Sequence, residues 1–175
     1  MSIFYHGSII NSLTKLIPHH GKIFLTPYFD LALFFTARFS DFQISLDIGK
    51  DGIPVVREFV KNALDTIYNQ KVGTIYTVDI NQELLQTTLW KGECTYEQEL
   101  AILRKISYEN MLYVIKNEII AGNIQYIDYN ESQSCRTEYL LRKSMQYYLH
   151  YGIEALVPLK EFHPDIYRIV LKRFC

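Results

Sequence analysis

The apolar positions of this chain change period several times. Ile3-Phe4-Tyr5 predicts a short strand that stops at His6-Gly7-Ser8. Ile9 to Ile17 reads as helical or turn-like and ends at Pro18. Lys22 to Thr26 predicts a second strand. From Tyr28 to Arg38 the spacing becomes helical, with Leu31, Phe34 and Phe35 on one face. Pro54 to Gln70 carries Val56, Val60, Ala63, Leu64 and Ile67 at helical spacing, with a proline near the first turn, and predicts a helix. Gly73 to Ile80 is β-branched and predicts a strand. Glu99–Leu103 and Met111–Ile115 are further strand candidates joined by a polar turn, and residues 117–128 offer another. Ser134 to Tyr151 predicts a helix broken at Gly152, and Asp165 to Phe174 a last helix after His163-Pro164. Short strands with interspersed helices, followed by helices, make an α+β chain.

Composition narrows the class. The 175 residues are a length for one domain, and 49% hydrophobic with 21% charged excludes a disordered or low-complexity chain. A net charge of -1 gives no whole-chain attraction for nucleic acid or acidic membrane. The charge is unevenly placed: residues 1–135 hold 11 basic and 15 acidic side chains, residues 136–175 hold 7 and 4. The chain therefore reads as residues 1–130 plus a helical extension, residues 131–175, packed on the same domain. No apolar run approaches the roughly 20 residues that span a bilayer. The first residues, Met1 to Gly7, lack the basic and apolar regions of a signal peptide. Cys94, Cys135 and Cys175 are odd in number and far apart, which speaks against a disulfide framework or a metal site and for a reducing cytoplasm.

The familiar chemical motifs are missing: no glycine-rich phosphate loop, no GxSxG elbow and no HExxH. His19-His20 lies between Pro18 and Gly21 and reads as a turn. Three segments carry candidate chemistry. In the first, a strand ends at His6-Gly7-Ser8; a glycine permits close backbone approach, and the neighbouring ring nitrogen suits a hydroxyl. In the second, Phe24 and Thr26 on a strand precede Phe34 and Phe35 on a helix, so that rings 10 or 11 positions apart can clasp a flat heterocycle. In the third, Glu97 and Glu99 stand before an apolar strand; on one strand face they would be about 6.5–7 Å apart. Such like charges are unfavourable without a ligand or neighbour to compensate.

In their order, these segments resemble the ADP-ribosyltransferase superfamily, in its diphtheria-toxin and poly(ADP-ribose)-polymerase branch and the small rifampin ADP-ribosyltransferases. The likeness rests on His6-Gly7-Ser8, Ile23 to Thr26 with Ala32 to Phe35, Gly73 to Ile80, and Glu99, and it covers residues 3–116. The family's first Tyr is Phe24 here. Glu97-Gln98-Glu99 resembles the Glu-x-Glu pattern of arginine-directed members, which accompanies a different first strand.

The resemblance implies a split β-sandwich with peripheral helices. It implies NAD as substrate, cleaved at the nicotinamide–ribose bond, with ADP-ribose passed to an acceptor that is a protein, nucleic acid or small molecule. It further implies Glu99 on the ribose, Glu97 toward the acceptor, His6 on the adenosine ribose and Gly7 on the carboxamide. Phe24 with Phe34 or Phe35 would hold the nicotinamide, Ser8 and Thr26 would complete the binding set, and no metal would be needed. A toxin or effector with a partner or antitoxin protein suits such an activity. Two other readings stand beside it: a non-catalytic NAD or ADP-ribose binding module, and an interaction protein using its tyrosine-rich C-terminal helices.

Overall fold

The computed structural model describes residues 2–88 and 92–174, with Phe174 through its backbone only. It is a mixed α+β chain of several small sheets and six α-helices among the described residues. In chain order these are β1 (Ser2–Ser8), β2 (Lys15–Leu16), β3 (Ile23–Leu25), α1 (Phe29–Ala32), β4 (Ile44–Ile48), β5 (Pro54–Glu58) and α2 (Ala63–Tyr68). There follow β6 (Gly73–Ile80), β7 (Gln86–Thr87), β8 (Cys94–Tyr96), β9 (Leu100–Ala101), β10 (Arg104–Tyr108), α3 (Met111–Ile120), β11 (Gln125–Ile127), α4 (Tyr129–Tyr151), α5 (Val157–Phe162) and α6 (Pro164–Phe174). A 3-10 turn, Leu33–Thr36, extends α1. No helix among the described residues is long and apolar enough to cross a membrane.

The chain forms two compact units. The first comprises Met1–Arg38, Leu46–Val55 and Leu64–Tyr126. Its principal sheet has the order β1-β6-β10, antiparallel throughout, with Phe4 opposite Val78 and His6 opposite Tyr76. The β-branched run of β6 suits this central place, where seven of its eight residues are buried or half-buried. A second sheet, β3-β8-β7, pairs Phe24 with Thr95, and β2 pairs with β9. Phe4, Leu25, Tyr76, Val78 and Tyr96 close one core. The Tyr76 hydroxyl donates to the Ile10 carbonyl at 2.8 Å and accepts from the Leu13 amide at 3.2 Å. That bond, with Lys105 on the Asn11 carbonyl, holds residues 9–14 as an ordered loop.

The second unit comprises Phe39–Ser45, Val56–Ala63 and Ile127–Cys175. Its core is Phe42, Phe59, Leu140, Leu156, Leu159, Ile166 and Val170. Asp128 caps α4 by accepting from the Asn130 and Glu131 amides, and Gly152, at φ 77°, ends it. His163 and the Asp41–Lys143 ion pair, 2.9 Å, sit inside this unit. A third sheet has the order β11-β5-β4.

The pattern over Gly73–Ile80 matches β6, and the helices predicted from Ser134 and Asp165 correspond to α4 and α6. Four expectations differ. Residues 54–70 hold β5 and then α2, not one helix: Pro54-Val55-Val56 is buried as a continuous β-branched run, and Asn62 at φ 57° turns the chain before Ala63. Met111–Ile115 is the start of α3, not a strand, because the Asn110 side chain accepts from the Tyr113 amide and caps it. The supposed polar turn before it contains β10. The strand expected over Glu99–Leu103 shrinks to Leu100–Ala101, so Glu97 and Glu99 share no strand face. Residues 9–17, expected to be helical or turn-like, hold the loop and β2.

Candidate functional site

The first unit contains a cleft of about 310 Å³ lined by His6, Gly7, Phe24, Phe35 and Glu93. Three backbone segments meet there. β1 and β3 are tied by a reciprocal pair, the Tyr5 amide to the Thr26 carbonyl at 2.8 Å and the Thr26 amide to the Tyr5 carbonyl at 3.0 Å. β1 and the α1 turn are pressed together at Gly7. A Cβ added there would lie 2.1 Å from the Ala32 carbonyl oxygen. The glycine that the sequence offers as a place for ligand approach is therefore filled from one side by the chain's own backbone.

His6 is fixed by a single bond, Nδ1 to the Phe24 carbonyl at 2.9 Å. A carbonyl only accepts, so Nδ1 carries the proton and Nε2 presents a lone pair. Burial, partly offset by that bond, holds the ring below the ordinary imidazole range. His6 is thus a neutral hydrogen-bond acceptor in the cleft wall, suited to a hydroxyl or amide proton.

The two phenylalanines of the turn part company. Phe34 is fully buried, edge-on to Tyr68 at 5.9 Å, and its carbonyl accepts from the Tyr68 hydroxyl at 2.6 Å. Phe35 lines the cleft with Phe24, which is 50% exposed. Of the two phenylalanines that the sequence left open, Phe35 lines the cleft and Phe34 is not among its lining residues. The hydroxyls of the first segments serve turns: Ser8 accepts from the Ile10 amide, and Thr26, wholly buried, accepts from the Tyr28 amide.

The carboxylates of the third segment lie elsewhere. Glu99 is half-exposed and paired with Lys15 at 2.6 Å. Glu97 accepts from the Gln86 amide group at 3.0 Å and is exposed. The carboxylate in the cleft is Glu93, at the entrance of β8. Gly92, at φ 90°, turns the chain into that strand. Leu25 pairs with Cys94, the residue after Glu93, and Thr26, the residue after Leu25, bridges Tyr5. Its charge is felt locally: burial first, and Glu93 second, push the Cys94 thiol up to about 11. The sequence signal for Glu93 was an acidic residue opening a strand. It was hidden because β8 is three residues long and the Glu97-x-Glu99 spacing is more conspicuous.

Among the described residues, no three His, Cys, Asp or Glu side chains converge as a metal site. Cys94 and Cys135 are free thiols, and Cys175 lies outside the described residues. Chemically, the cleft offers two rings, a neutral acceptor and one carboxylate, which suits a planar heterocycle carrying a hydroxylated group. No family model matches the chain, and no curated protein or solved structure matches it.

Proposed function

We propose that this chain binds NAD with its nicotinamide end in the His6–Phe35 cleft and cleaves the nicotinamide–ribose bond, passing ADP-ribose to an acceptor. The observation that carries the reading is the meeting of His6, Gly7, Phe24, Phe35 and Glu93 in one cleft. His6, Gly7, Phe24 and Phe35 come from segments whose order resembles the ADP-ribosyltransferases, and the small antiparallel sheets are compatible with a split β-sandwich of that kind. At about 310 Å³ the cleft suits a heterocycle with its sugar, the rest of the dinucleotide running outward.

In this reading Phe24 and Phe35 hold the nicotinamide, and His6 Nε2 accepts from a ribose hydroxyl. As the bond to nicotinamide breaks, its electron pair leaves with the neutral ring and positive charge spreads over the ribose. Glu93 stabilises that charge more in the transition state than in the bound substrate, which is what lowers the barrier. Glu93 takes the role that the resemblance alone gives to Glu99, because Glu93 lines the cleft and Glu99 does not.

The test is incubation of the purified chain with NAD, following nicotinamide release and thermal stability together. Release with a stabilising shift supports the reading. A shift without release favours a module that binds without turnover, a reading favoured by the half exposure of Phe24. Neither effect removes NAD from the cleft.

A further inference from the structure

A second concavity lies in the same unit, where the end of β10 meets the first turns of α3. Its volume is about 460 Å³, and its lining includes Tyr108, Tyr113, Val114, Glu109, Glu118 and Asn117. Tyr113 is 65% exposed, although it carries a large ring on a helix whose Met111 and Ile115 are fully buried. Glu118 is steadied by Asn123, whose side-chain amide donates to it at 2.7 Å. No Lys or Arg is among the groove's described lining residues. Burial first and Glu118 second hold the Tyr108 phenol above its ordinary range, with Arg104 opposing and Asp30 adding to the rise.

We propose that this groove binds an arginine side chain of a polypeptide partner. The chemistry of the lining selects the occupant. A guanidinium is planar and weakly hydrated, stacks on a phenol ring, and engages carboxylates through a fork of donors. Tyr113 and Tyr108 supply the faces, and Glu109 and Glu118 the acceptors. Val114 offers apolar surface for the aliphatic stem, and Asn117 an amide for the adjoining peptide group. The groove exceeds one guanidinium in volume, which fits a side chain presented on a backbone rather than a free ion. The inference is independent of the NAD cleft.

The test uses the full chain and a labelled tetra-arginine peptide, with tetralysine for comparison, by fluorescence anisotropy at about 0.1 M salt. Tetra-arginine is expected to bind more tightly than tetralysine. Tyr113→Ala is expected to weaken it about fivefold to tenfold, the scale of a cation–ring contact. Glu109→Gln with Glu118→Gln should remove it. Tyr113 is exposed, so the melting curve of Tyr113→Ala should match the parent and show that the loss is local. Absence of binding, equal affinity for tetralysine, or indifference to Tyr113→Ala would each overturn the proposal.

Discussion

Arg136 donates through Nη2 to His163 Nδ1 at 2.9 Å, and the opposite ring nitrogen of His163 donates to the Phe42 carbonyl at 2.6 Å. A guanidinium only donates, so the buried ring must be neutral with its proton on Nε2. Arg136 also grips Asp165 through both carboxylate oxygens. One neutral imidazole therefore joins the Phe42 segment, α4 and the start of α6 inside the second unit.

That arrangement sets a pH dependence. Burial is the main cause that holds His163 below 6.5, and burial also lowers His6. Below 6.5 the unfolded chain takes up protons that these folded rings refuse. Stability is thus full above 6.5 and is lost as pH falls from there toward the folded values, by at most about 1.4 kcal/mol per pH unit for each ring. Melting temperatures between pH 8 and 5 should show this fall. His163→Gln should reduce the fall to the share that His6 leaves; an unchanged slope would remove His163 as a source of it.

Glu93→Gln and Glu99→Gln separate the two carboxylates. Glu93→Gln should lower nicotinamide release about a hundredfold or more while NAD still shifts the melting curve, since only the transition state feels the lost charge. Glu99→Gln should stay within a few fold of the parent, because its carboxylate pairs with Lys15. The opposite ranking would return the role to Glu99.

The phenylalanines should divide in the same way between binding and folding. Phe34→Ala removes a wholly buried ring and should cost about 3–5 kcal/mol by urea unfolding. Phe24→Ala, at a half-exposed ring, should change stability by roughly 0.5 kcal/mol or less and yet abolish the NAD-induced shift. Equal destabilisation by both would make Phe24 a core residue.

Lys143→Met should destabilise the second unit by about 3 kcal/mol, because it leaves the buried Asp41 carboxylate without its 2.9 Å cation. Tyr147 still donates to Asp41 at 2.8 Å, and Tyr147→Phe in the Lys143→Met background should add to the loss. Thermal unfolding of the two variants measures both steps.

Where local chemistry and burial agreed, the fold was legible in the chain. Gly73–Ile80 is β-branched and central, α4 stops at Gly152, and α6 starts at Pro164. Legibility failed where two elements shared one period. Val56, Ala63, Leu64 and Ile67 are all buried, but Val56 is buried by a strand and the others by a helix. It failed again at Leu112-Tyr113-Val114-Ile115, strand-like residues that Asn110 caps into α3. His6, Gly7 and Phe24 could be named as cleft residues from their order. Glu93 could not, because its place follows from the pairing of β8 with β3, a relation between segments about seventy positions apart in sequence. The choice of Phe35 over Phe34 likewise waited on Tyr68, which claims Phe34 from a distant helix.

Gly7 touching the Ala32 carbonyl has a consequence for selectivity. Peptide groups, not side chains, space the three walls of the cleft: Gly7 against the α1 turn on one side, the Tyr5–Thr26 pair on the other. Backbone contacts of this kind do not relax by rotamer changes, so the gap works as a fixed gauge. The Phe24 side chain, half-exposed, is less constrained than these peptide groups. In the NAD reading proposed above, a ligand would be selected chiefly by thickness, with little of its binding free energy spent on ordering the protein around it.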